Sequence, residues 1–385
     1  MSSLSYRICT RCVMDTTDPE IVFDADGVCN HCHRHLQDMA TKVFSGEDGR
    51  QRLERLADDV RKRHKGKPYD CVIGVSGGVD STYVAWLVKD LGLRPLAVHL
   101  DNGWNSEIAV SNIANALQKL NIELYTHVID WEEYKDIQRS FLLASVPDVE
   151  VPTDHAITAC LQNVAEKFGV STIIRGVNVN TESHHARSWS QGHMDYGYIS
   201  DVHRKFGSGR VKTFPHLSYW QFLKLYRGGS IEVVDILDLA DYTREKALAR
   251  IQTDLGWRDY GGKHFESTFT RWFQGFYLPR KFGFDKRKMH LSSLISGGEI
   301  TRDEALAKLQ PPPYDEKLQD QDCDYVAKKL DFTRAELDAI IDAPPAFYED
   351  FDSWGKGLEG PVFQTLRRVY RLVKQKPQPS ASASS

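Results

Sequence analysis

The sequence predicts an α/β fold: a doubly wound parallel sheet with a cysteine-rich segment before it and a mostly helical region after it. Between residues 69 and 175, apolar runs typical of strands alternate with helical patterns, and beyond residue 211 the apolar spacing is mostly helical. Alternation of this kind favours a parallel sheet with helices on both faces. We expect four units: a zinc ribbon over 1–45, a sheet domain over 46–210, a mostly helical substrate or partner region over 211–372 and a disordered tail over 373–385.

The individual elements follow one another in a regular order. Strands are expected at 69–75, 95–100, 122–128 and 171–175, and helices at 46–65, 107–120, 131–143 and 154–168. Capping pairs predict helices that start after Asp130, Thr301 and Thr333, each with a glutamate three residues later. We interpret the sequence Ser-Gly-Gly-Glu at 296–299 as a turn.

An irregular stretch at 183–209 contains four histidines among glycines and serines. Long irregular loops at strand ends often carry function, so we predict a substrate lid. A second metal site is the weaker alternative, because no His-x-x-x-His spacing is present. The four residues are His184, His185, His193 and His203.

The composition limits the class of protein. The 385 residues carry a net charge of −4, with 41% hydrophobic and 26% charged residues, which is ordinary for an enzyme of about two domains. The low net charge argues against a large nucleic acid as substrate. No apolar run is long enough to span a membrane, and the first residues show no signal-peptide pattern, so a cytoplasmic protein is expected.

Four of the seven cysteines form two Cys-x-x-Cys pairs near the N-terminus. Two such knuckles can present four thiolates to one tetrahedral zinc ion, whereas disulfides are rare in cytoplasmic proteins. A four-thiolate site leaves no open coordination position, so we predict structural zinc. The predicted ligands are Cys9, Cys12, Cys29 and Cys32.

A glycine loop, defined here as residues 76–81 with the sequence Ser-Gly-Gly-Val-Asp-Ser, joins a predicted strand to a predicted helix. Glycines let the backbone turn its N–H groups toward one point, and the following helix adds the positive end of its dipole. The loop therefore predicts a phosphate site. An aspartate stands where the Walker motif has a lysine, which suggests a bound metal ion.

Two other predicted strands also end in polar residues, Asp101-Asn102-Gly103 and the stretch 176–182, which ends at Glu182. Ligands of open α/β sheets bind beyond the carboxyl ends of the strands. A distal block, defined here as residues 257–288, interleaves cations with aromatic residues and glycines. This composition suits a phosphate-bearing ligand, although a nucleic-acid surface and an exposed amphipathic helix remain open as alternatives.

The glycine loop resembles the pyrophosphate loop (PP-loop) of the ATP pyrophosphatases, the adenine nucleotide alpha-hydrolase-like superfamily that includes GMP, NAD and asparagine synthetases. The resemblance implies that the loop grips the β- and γ-phosphates of ATP, and that Asp80 and Glu182 hold Mg²⁺. It implies an ATP site made of Ser76, Gly77, Gly78, Asp80, Ser81, Leu100, Asp101, Arg175 and Gly176.

The cysteine pairs, the glycine loop and the distal block together resemble the WbpG/PseA-like N-acetyl sugar amidotransferases of bacterial surface-polysaccharide (O-antigen) synthesis. The resemblance covers about residues 6–310. It implies that ATP adenylylates the acetamido oxygen of a nucleotide-activated sugar and that ammonia then displaces AMP. Ammonia would come from a HisH/HisF-like glutaminase and synthase pair. Lys281 is expected at the α-phosphate, and the expected substrate-binding residues are Asn178, His264, Glu266, Lys286 and Arg287.

A tRNA-thiolating enzyme is the alternative function, because such enzymes share the glycine loop and often a cysteine-rich ribbon. One group of them carries Cys-x-x-Cys on the helix that precedes the third strand-end loop. Here Cys160 occupies one position of that pair and Ile157 the other, so the pair is broken. A non-enzymatic zinc-ribbon module for nucleic acid would leave the glycine loop unexplained.

Overall fold

The computed structural model describes residues 5–227, 231–262 and 265–359. Its strands are β1 Cys71–Gly74, β2 Pro95–Asp101, β3 Glu123–Val128, β4 Thr172–Arg175 and β5 Glu232–Asp235. Its α-helices are α1 Asn30–Lys42, α2 Gly46–Arg63, α3 Val79–Asp90, α4 Glu107–Leu120, α5 Trp131–Leu143, α6 Val151–Phe168, α7 Val179–Glu182, α8 Tyr196–Phe206, α9 Tyr219–Arg227, α10 Arg244–Leu255, α11 Thr268–Trp272, α12 Leu278–Phe282, α13 Arg287–Ser296, α14 Arg302–Leu309, α15 Glu316–Lys329, α16 Arg334–Asp342 and α17 Trp354–Glu359.

The five strands form one sheet in the order β3-β2-β1-β4-β5, and every pairing is parallel. The chain first builds the sheet outward from β1 through β2 to β3, and then places β4 on the other side of β1. The order therefore reverses between β1 and β4, and in open sheets this reversal opens a crevice for ligands. The predicted α/β parallel sheet is confirmed, whereas β5 was not predicted.

Two hydrophobic cores cover the two faces of the sheet. Val72 and Leu96 belong to one core, which α5 and α6 complete. Ile73 and Ala97 point to the other, which contains residues of α2, α3, α4 and α10. Neighbouring residues of a strand face opposite sides, so strands buried on both faces appear as continuous apolar runs. This is why β1 and β2 were recognisable in the sequence.

The stretch 183–209 is less irregular than predicted. Residues 196–206 form α8, whose first turn is capped by the Asp195 side chain. Asp136 on α5 binds this region through His203 Nε2 at 2.7 Å and the backbone nitrogen of Gly209 at 2.8 Å. About two fifths of the predicted lid is thus a helix packed against α5. The capping pairs at Asp130, Thr301 and Thr333 are confirmed.

Two predictions fall outside the described residues, the disordered tail over 373–385 and the role of His264. Within the described residues, no helix combines the length and the apolar character that a membrane crossing requires.

Candidate active site

The glycine loop follows β1 directly and leads into α3, whose N-cap is Gly78. Gly77 has φ +80°, and a Cβ there would lie 2.5 Å from the carbonyl oxygen of Ala109. Only glycine fits, because both the left-handed backbone and the contact with α4 exclude a side chain. The hydroxyl oxygens of Ser76 and Ser81 lie 3.1 Å apart. The loop therefore combines a helix N-terminus with two converging hydroxyls, as an anion site requires.

Asp80 in the first turn of α3 is held by a residue that the sequence analysis missed. The hydroxyl of Tyr242 donates a hydrogen bond to Asp80 Oδ1. The backbone oxygen of Tyr242 in turn accepts from Asn180 Nδ2 at 3.0 Å. At the end of β4, a Cβ on Gly176 would lie 3.2 Å from the carbonyl carbon of Asp80. The ends of β1 and β4 therefore meet at Asp80.

The distal block closes over the glycine loop. Trp257 Nε1 donates to the carbonyl oxygen of Gly77 at 2.8 Å. A Cβ on Gly78 would lie 3.4 Å from the Tyr260 hydroxyl and 3.8 Å from Glu266 Oε1. Burial, together with the charge of Glu266, raises the pKa of Tyr260 well above its usual value. Tyr260 therefore keeps its proton and donates it in a hydrogen bond to Glu266 beside the loop.

A further carboxylate lies within electrostatic reach of Asp80. Burial raises the pKa of Glu299, and the charge of Asp80 adds to this effect, whereas Arg244 opposes it. Glu299 belongs to the predicted turn, which the structure confirms: Gly298 has φ +77°, and the Glu299 nitrogen donates to Leu294 at 2.9 Å. Arg244 and Glu299 gave no sequence signal, since only the folded chain brings them to the loop.

Several predicted ATP and substrate residues are engaged with their neighbours at the strand ends. Leu100 is buried in β2. Asp101 Oδ1 accepts from the Gly103 nitrogen at 3.0 Å. Arg175 forms two hydrogen bonds with Asp235, at 2.9 and 3.0 Å. Asn178 caps α7, because its Oδ1 accepts from the Thr181 nitrogen at 2.9 Å.

Glu182 is the last residue of α7. Since Asp80 is in the first turn of α3, the two proposed Mg²⁺ ligands follow neighbouring strands, β4 and β1. Asp80 and Glu182 as a magnesium pair remain a prediction.

The three predicted cations of the distal block lie in different surroundings. Lys281 Nζ donates to carbonyl oxygens at the end of α16, at 2.7 Å to Ile340 and 2.6 Å to Ala343. This position gives no support to a role at the α-phosphate. Arg287 binds the Asp285 carboxylate, with the closest pair of atoms 2.7 Å apart. Lys286 Nζ lies 3.7 Å from Asp148 Oδ2.

The four predicted zinc ligands converge on one point, hereafter the cysteine cluster. Their sulfur atoms lie within 4.8 Å of one another, with neighbours at 3.6 to 3.9 Å. Four Zn–S bonds of about 2.3 Å at tetrahedral angles place sulfurs about 3.8 Å apart. All four residues are fully buried, and the Cys9 sulfur also accepts from the backbone nitrogen of Cys12 at 3.4 Å. The cluster therefore fits a zinc ion.

The cysteine cluster is attached to the C-terminal helices and to the segment after Glu182. Arg302 on α14 donates to the carbonyl oxygens of Cys9 and Cys12, at 3.0 and 3.1 Å. His184 Nε2 lies 3.7 Å from the Cys32 sulfur. The cluster thus braces the chain that directly follows Glu182, which suits a structural role.

Comparison with known proteins finds a family match in the C-terminal part of the chain. Residues 266–367 match the family model described as "LPS biosynthesis protein WbpG-like, C-terminal domain". The matched segment begins at Glu266, the residue that reaches the glycine loop.

Curated relatives match shorter stretches. A glutamine-hydrolysing GMP synthase from Pyrobaculum aerophilum is 35% identical over 111 residues, which is 28% of this chain and 19% of that protein. A tRNA-specific 2-thiouridylase from Salmonella arizonae is 28% identical over 152 residues, 34% of this chain and 41% of the relative. The chain therefore spans less than half the length of these relatives.

Among solved structures, an NH3-dependent NAD synthetase from Campylobacter jejuni is similar at 15% identity and a TM-score of 0.31, over 78% of this chain and 98% of that one. An NMN synthetase from Francisella tularensis matches at 20% identity and a TM-score of 0.30, over 55% of this chain and 94% of that one. Structural similarity at these TM-scores supports no conclusion about the site.

Proposed function

We propose that this chain is an ATP-using amidotransferase, because residues 266–367 match the C-terminal domain of the WbpG-like proteins of lipopolysaccharide biosynthesis and follow a parallel sheet with a glycine loop at the end of β1. Its substrate is a nucleotide-activated acetamido sugar, and its product carries an acetamidino group. The observation that carries the proposal is the position of Glu266, the first residue of the matched domain, whose Oε1 would lie 3.8 Å from a Cβ on Gly78 of the glycine loop.

The reaction has two steps. In the first, the acetamido oxygen attacks the α-phosphorus of ATP, an O–P bond forms, and pyrophosphate leaves. In the second, ammonia forms a C–N bond at the imidate carbon, the C–O bond breaks, and AMP leaves with the electron pair. An amide oxygen is a poor leaving group, whereas an oxygen esterified to AMP leaves readily, so ATP supplies the driving force.

The residues around the glycine loop have distinct tasks in the first step. The backbone of Gly77 and Gly78 and the start of α3 bind the departing pyrophosphate. Tyr242 fixes the orientation of Asp80. Asp80 and Glu182 would hold Mg²⁺, which neutralises charge on the phosphate oxygens when bound. Zinc in the cysteine cluster is structural.

Ammonia is supplied by a partner in this proposal. A glutaminase and synthase pair would release it from glutamine and deliver it to the imidate. We expect the isolated protein to use ammonium salts, and to use glutamine only after the partner is added. Glutamine turnover by the chain alone would refute the requirement for a partner.

Product analysis tests the proposed function. The protein is incubated with ATP, Mg²⁺, ammonium chloride and UDP-linked acetamido sugars, and nucleotides and sugars are analysed by mass spectrometry. We expect AMP and pyrophosphate to form only with an accepted sugar, together with an acetamidino product. ADP formation, or AMP formation without a modified sugar, would contradict the proposal.

Thiolation of tRNA is a second candidate, because tRNA-specific 2-thiouridylases are among the curated relatives. That chemistry needs a reactive thiolate. Cys160 is 4% exposed, and burial raises its pKa to about 11. A buried thiol of this kind is a weak nucleophile, so the amidotransferase is the better supported function.

A further inference from the structure

A group of charged side chains outside the glycine loop lies around the N-terminus of α6. Asp148 Oδ2 accepts a hydrogen bond from the Ser190 hydroxyl at 2.5 Å and lies 3.3 Å from His193 Nε2. His193 Nε2 also lies 3.4 Å from Asp154 Oδ2. The acid–base recess, as we name this group, consists of Asp148, Glu150, Asp154, His193 and Lys286.

Charges in the acid–base recess are nearly balanced without Glu150. Burial opposes ionisation of Asp148, but Lys286 and His193 outweigh it and hold the pKa of Asp148 far below its usual value. Burial acts against the His193 cation, yet Asp148 raises the pKa of His193. Lys286 also acts on Glu150 and lowers its pKa slightly, so three carboxyl groups share two basic side chains.

Glu150 is held in place and is partly buried. The Thr270 hydroxyl donates a hydrogen bond to Glu150 Oε1. Burial, followed by the charge of Asp154, raises the pKa of Glu150 to about 8. Glu150 keeps partial exposure, whereas Asp148 is only 4% exposed. A carboxyl group in this setting can exchange a proton with a small solute near neutral pH.

The acid–base recess adjoins the ATP site by two routes. Thr270 follows Glu266, which reaches the glycine loop, by four residues, and four residues span at most about 14 Å. On the other side, α6 begins directly after Glu150 and leads into β4, so its N-terminus lies at the edge of the sheet where the parallel strands end. The recess therefore lies at the edge of the sheet where we propose that ATP binds.

We propose that the acid–base recess receives ammonium and that Glu150, in its ionised form, takes one of its protons, which releases neutral ammonia toward the imidate carbon. This inference rests on the proposed amidotransferase function. The proton moves to a Glu150 oxygen, the nitrogen lone pair forms the C–N bond, and AMP leaves with the electrons of the C–O bond. Since the adenylylated amide and ammonia are both reactants of the proposed function, no further co-reactant is required.

The charge of the acid–base recess favours this ligand over others. Ammonium is small and cationic, and three carboxyl groups of the recess share only two basic side chains, Lys286 and His193. A phosphate group would face three carboxyl groups there. The amidino product is also a cation, so the same carboxylates stabilise the charge that develops as ammonia attacks.

Glu150→Gln tests the proposal through two separable reactions. Sugar-dependent exchange of labelled pyrophosphate into ATP measures adenylylation, which needs no ammonia. Amidination is then measured with ammonium chloride and, separately, with hydroxylamine, which is a neutral nucleophile at neutral pH. Glu132→Gln on the exposed face of α5 serves as the matched control, because Glu132 is 76% exposed and pairs with Lys135.

We expect Glu150→Gln to retain pyrophosphate exchange, to lose about 10²–10⁴-fold in the ammonium-dependent rate, and to react with hydroxylamine at a rate close to that of the wild type. An unchanged ammonium rate would overturn the inference, as would equal loss with both nucleophiles. If the wild type shows no sugar-dependent exchange, the proposed function itself fails, and this inference falls with it.

If Glu150→Gln does not fold, Thr270→Val replaces it as the test. This variant removes the hydroxyl that donates to Glu150 and leaves the carboxyl group in place. We expect a lower ammonium-dependent rate with unchanged use of hydroxylamine. Equal rates with ammonium in Thr270→Val and wild type would count against the role of Glu150.

Discussion

The Tyr242 hydroxyl donates a hydrogen bond to Asp80 Oδ1 and so links the segment after β5 to the first turn of α3. Burial, followed by the charge of Asp80, raises the pKa of Tyr242 far above its usual value, so the hydroxyl stays protonated. One oxygen of Asp80 is thereby fixed in orientation, and the other faces the ligand in our proposal.

Removing this hydroxyl should weaken the use of Mg²⁺. For Tyr242→Phe we expect the Mg²⁺ concentration for half-maximal pyrophosphate exchange to rise about 10-fold, the equivalent of one net hydrogen bond to a charged group. Tyr325→Phe, on the exposed part of α15, is the control and should behave as the wild type. An unchanged Mg²⁺ dependence in Tyr242→Phe would contradict a positioning role.

Substitution of Gly77 should damage both stability and ATP use. Gly77→Ala must adopt φ +80° and also meets the Ala109 oxygen at 2.5 Å, whereas Gly66→Ala adopts φ +83° with no atom within 4 Å. Left-handed φ alone costs about 1–3 kcal/mol. We expect Gly77→Ala to lose more free energy of unfolding than Gly66→Ala, and to lose pyrophosphate exchange that Gly66→Ala retains. Equal effects in denaturant titrations and exchange assays would disprove the steric argument.

The cysteine cluster should contain zinc. We expect metal analysis to find one zinc ion per chain, and Cys12→Ser to lose the ion and unfold at a lower temperature, because zinc binding contributes directly to folding. Cys160→Ser keeps all four ligands and should retain zinc. Wild-type protein without zinc, or zinc retained by Cys12→Ser, would rule out the site.

Cys160 also separates the two candidate functions. Because its thiol is buried with a pKa of about 11, we expect Cys160→Ser to keep the full rate of sugar-dependent AMP formation per folded molecule. Loss of that activity in a variant with an unchanged circular dichroism spectrum would restore the thiolation hypothesis.

Lys281 should contribute to the stability of the fold and not to catalysis. Its ammonium group donates hydrogen bonds to carbonyl oxygens at the C-terminal end of α16. A cation there also interacts favourably with the negative end of the helix dipole. We expect Lys281→Met to lower the free energy of unfolding by about 1–3 kcal/mol and to leave pyrophosphate exchange of the folded protein intact. Lost exchange with unchanged stability would instead support the catalytic role predicted from the sequence.

The sequence was most informative where local physics determines the structure. Buried parallel strands appear as apolar runs, so β1, β2 and β4 could be predicted to within about two residues at each end. The edge strand β5 has only two apolar residues, Val233 and Val234, too few for a pattern. For α8 a signal existed, since Asp195 precedes Tyr198, Ile199 and Val202 at helical spacing, but the surrounding glycines concealed it.

The site was only partly predictable. Gly77 and Asp80 belong to one contiguous loop, and the sequence motif contains them both. Tyr242 and Glu299 reach that loop from distant segments of the chain, so no local pattern could indicate them. For Lys281, composition suggested a phosphate ligand, whereas tertiary packing places its ammonium at the end of α16.

Transfer of oxygen tests the central claim most directly. A UDP-linked sugar labelled with ¹⁸O in the acetamido group is incubated with the protein, ATP, Mg²⁺ and ammonium chloride, and the AMP is analysed by mass spectrometry. The proposed mechanism predicts that AMP carries the ¹⁸O and that the sugar gains nitrogen in its place. Unlabelled AMP, or a sugar that keeps its ¹⁸O, would contradict it.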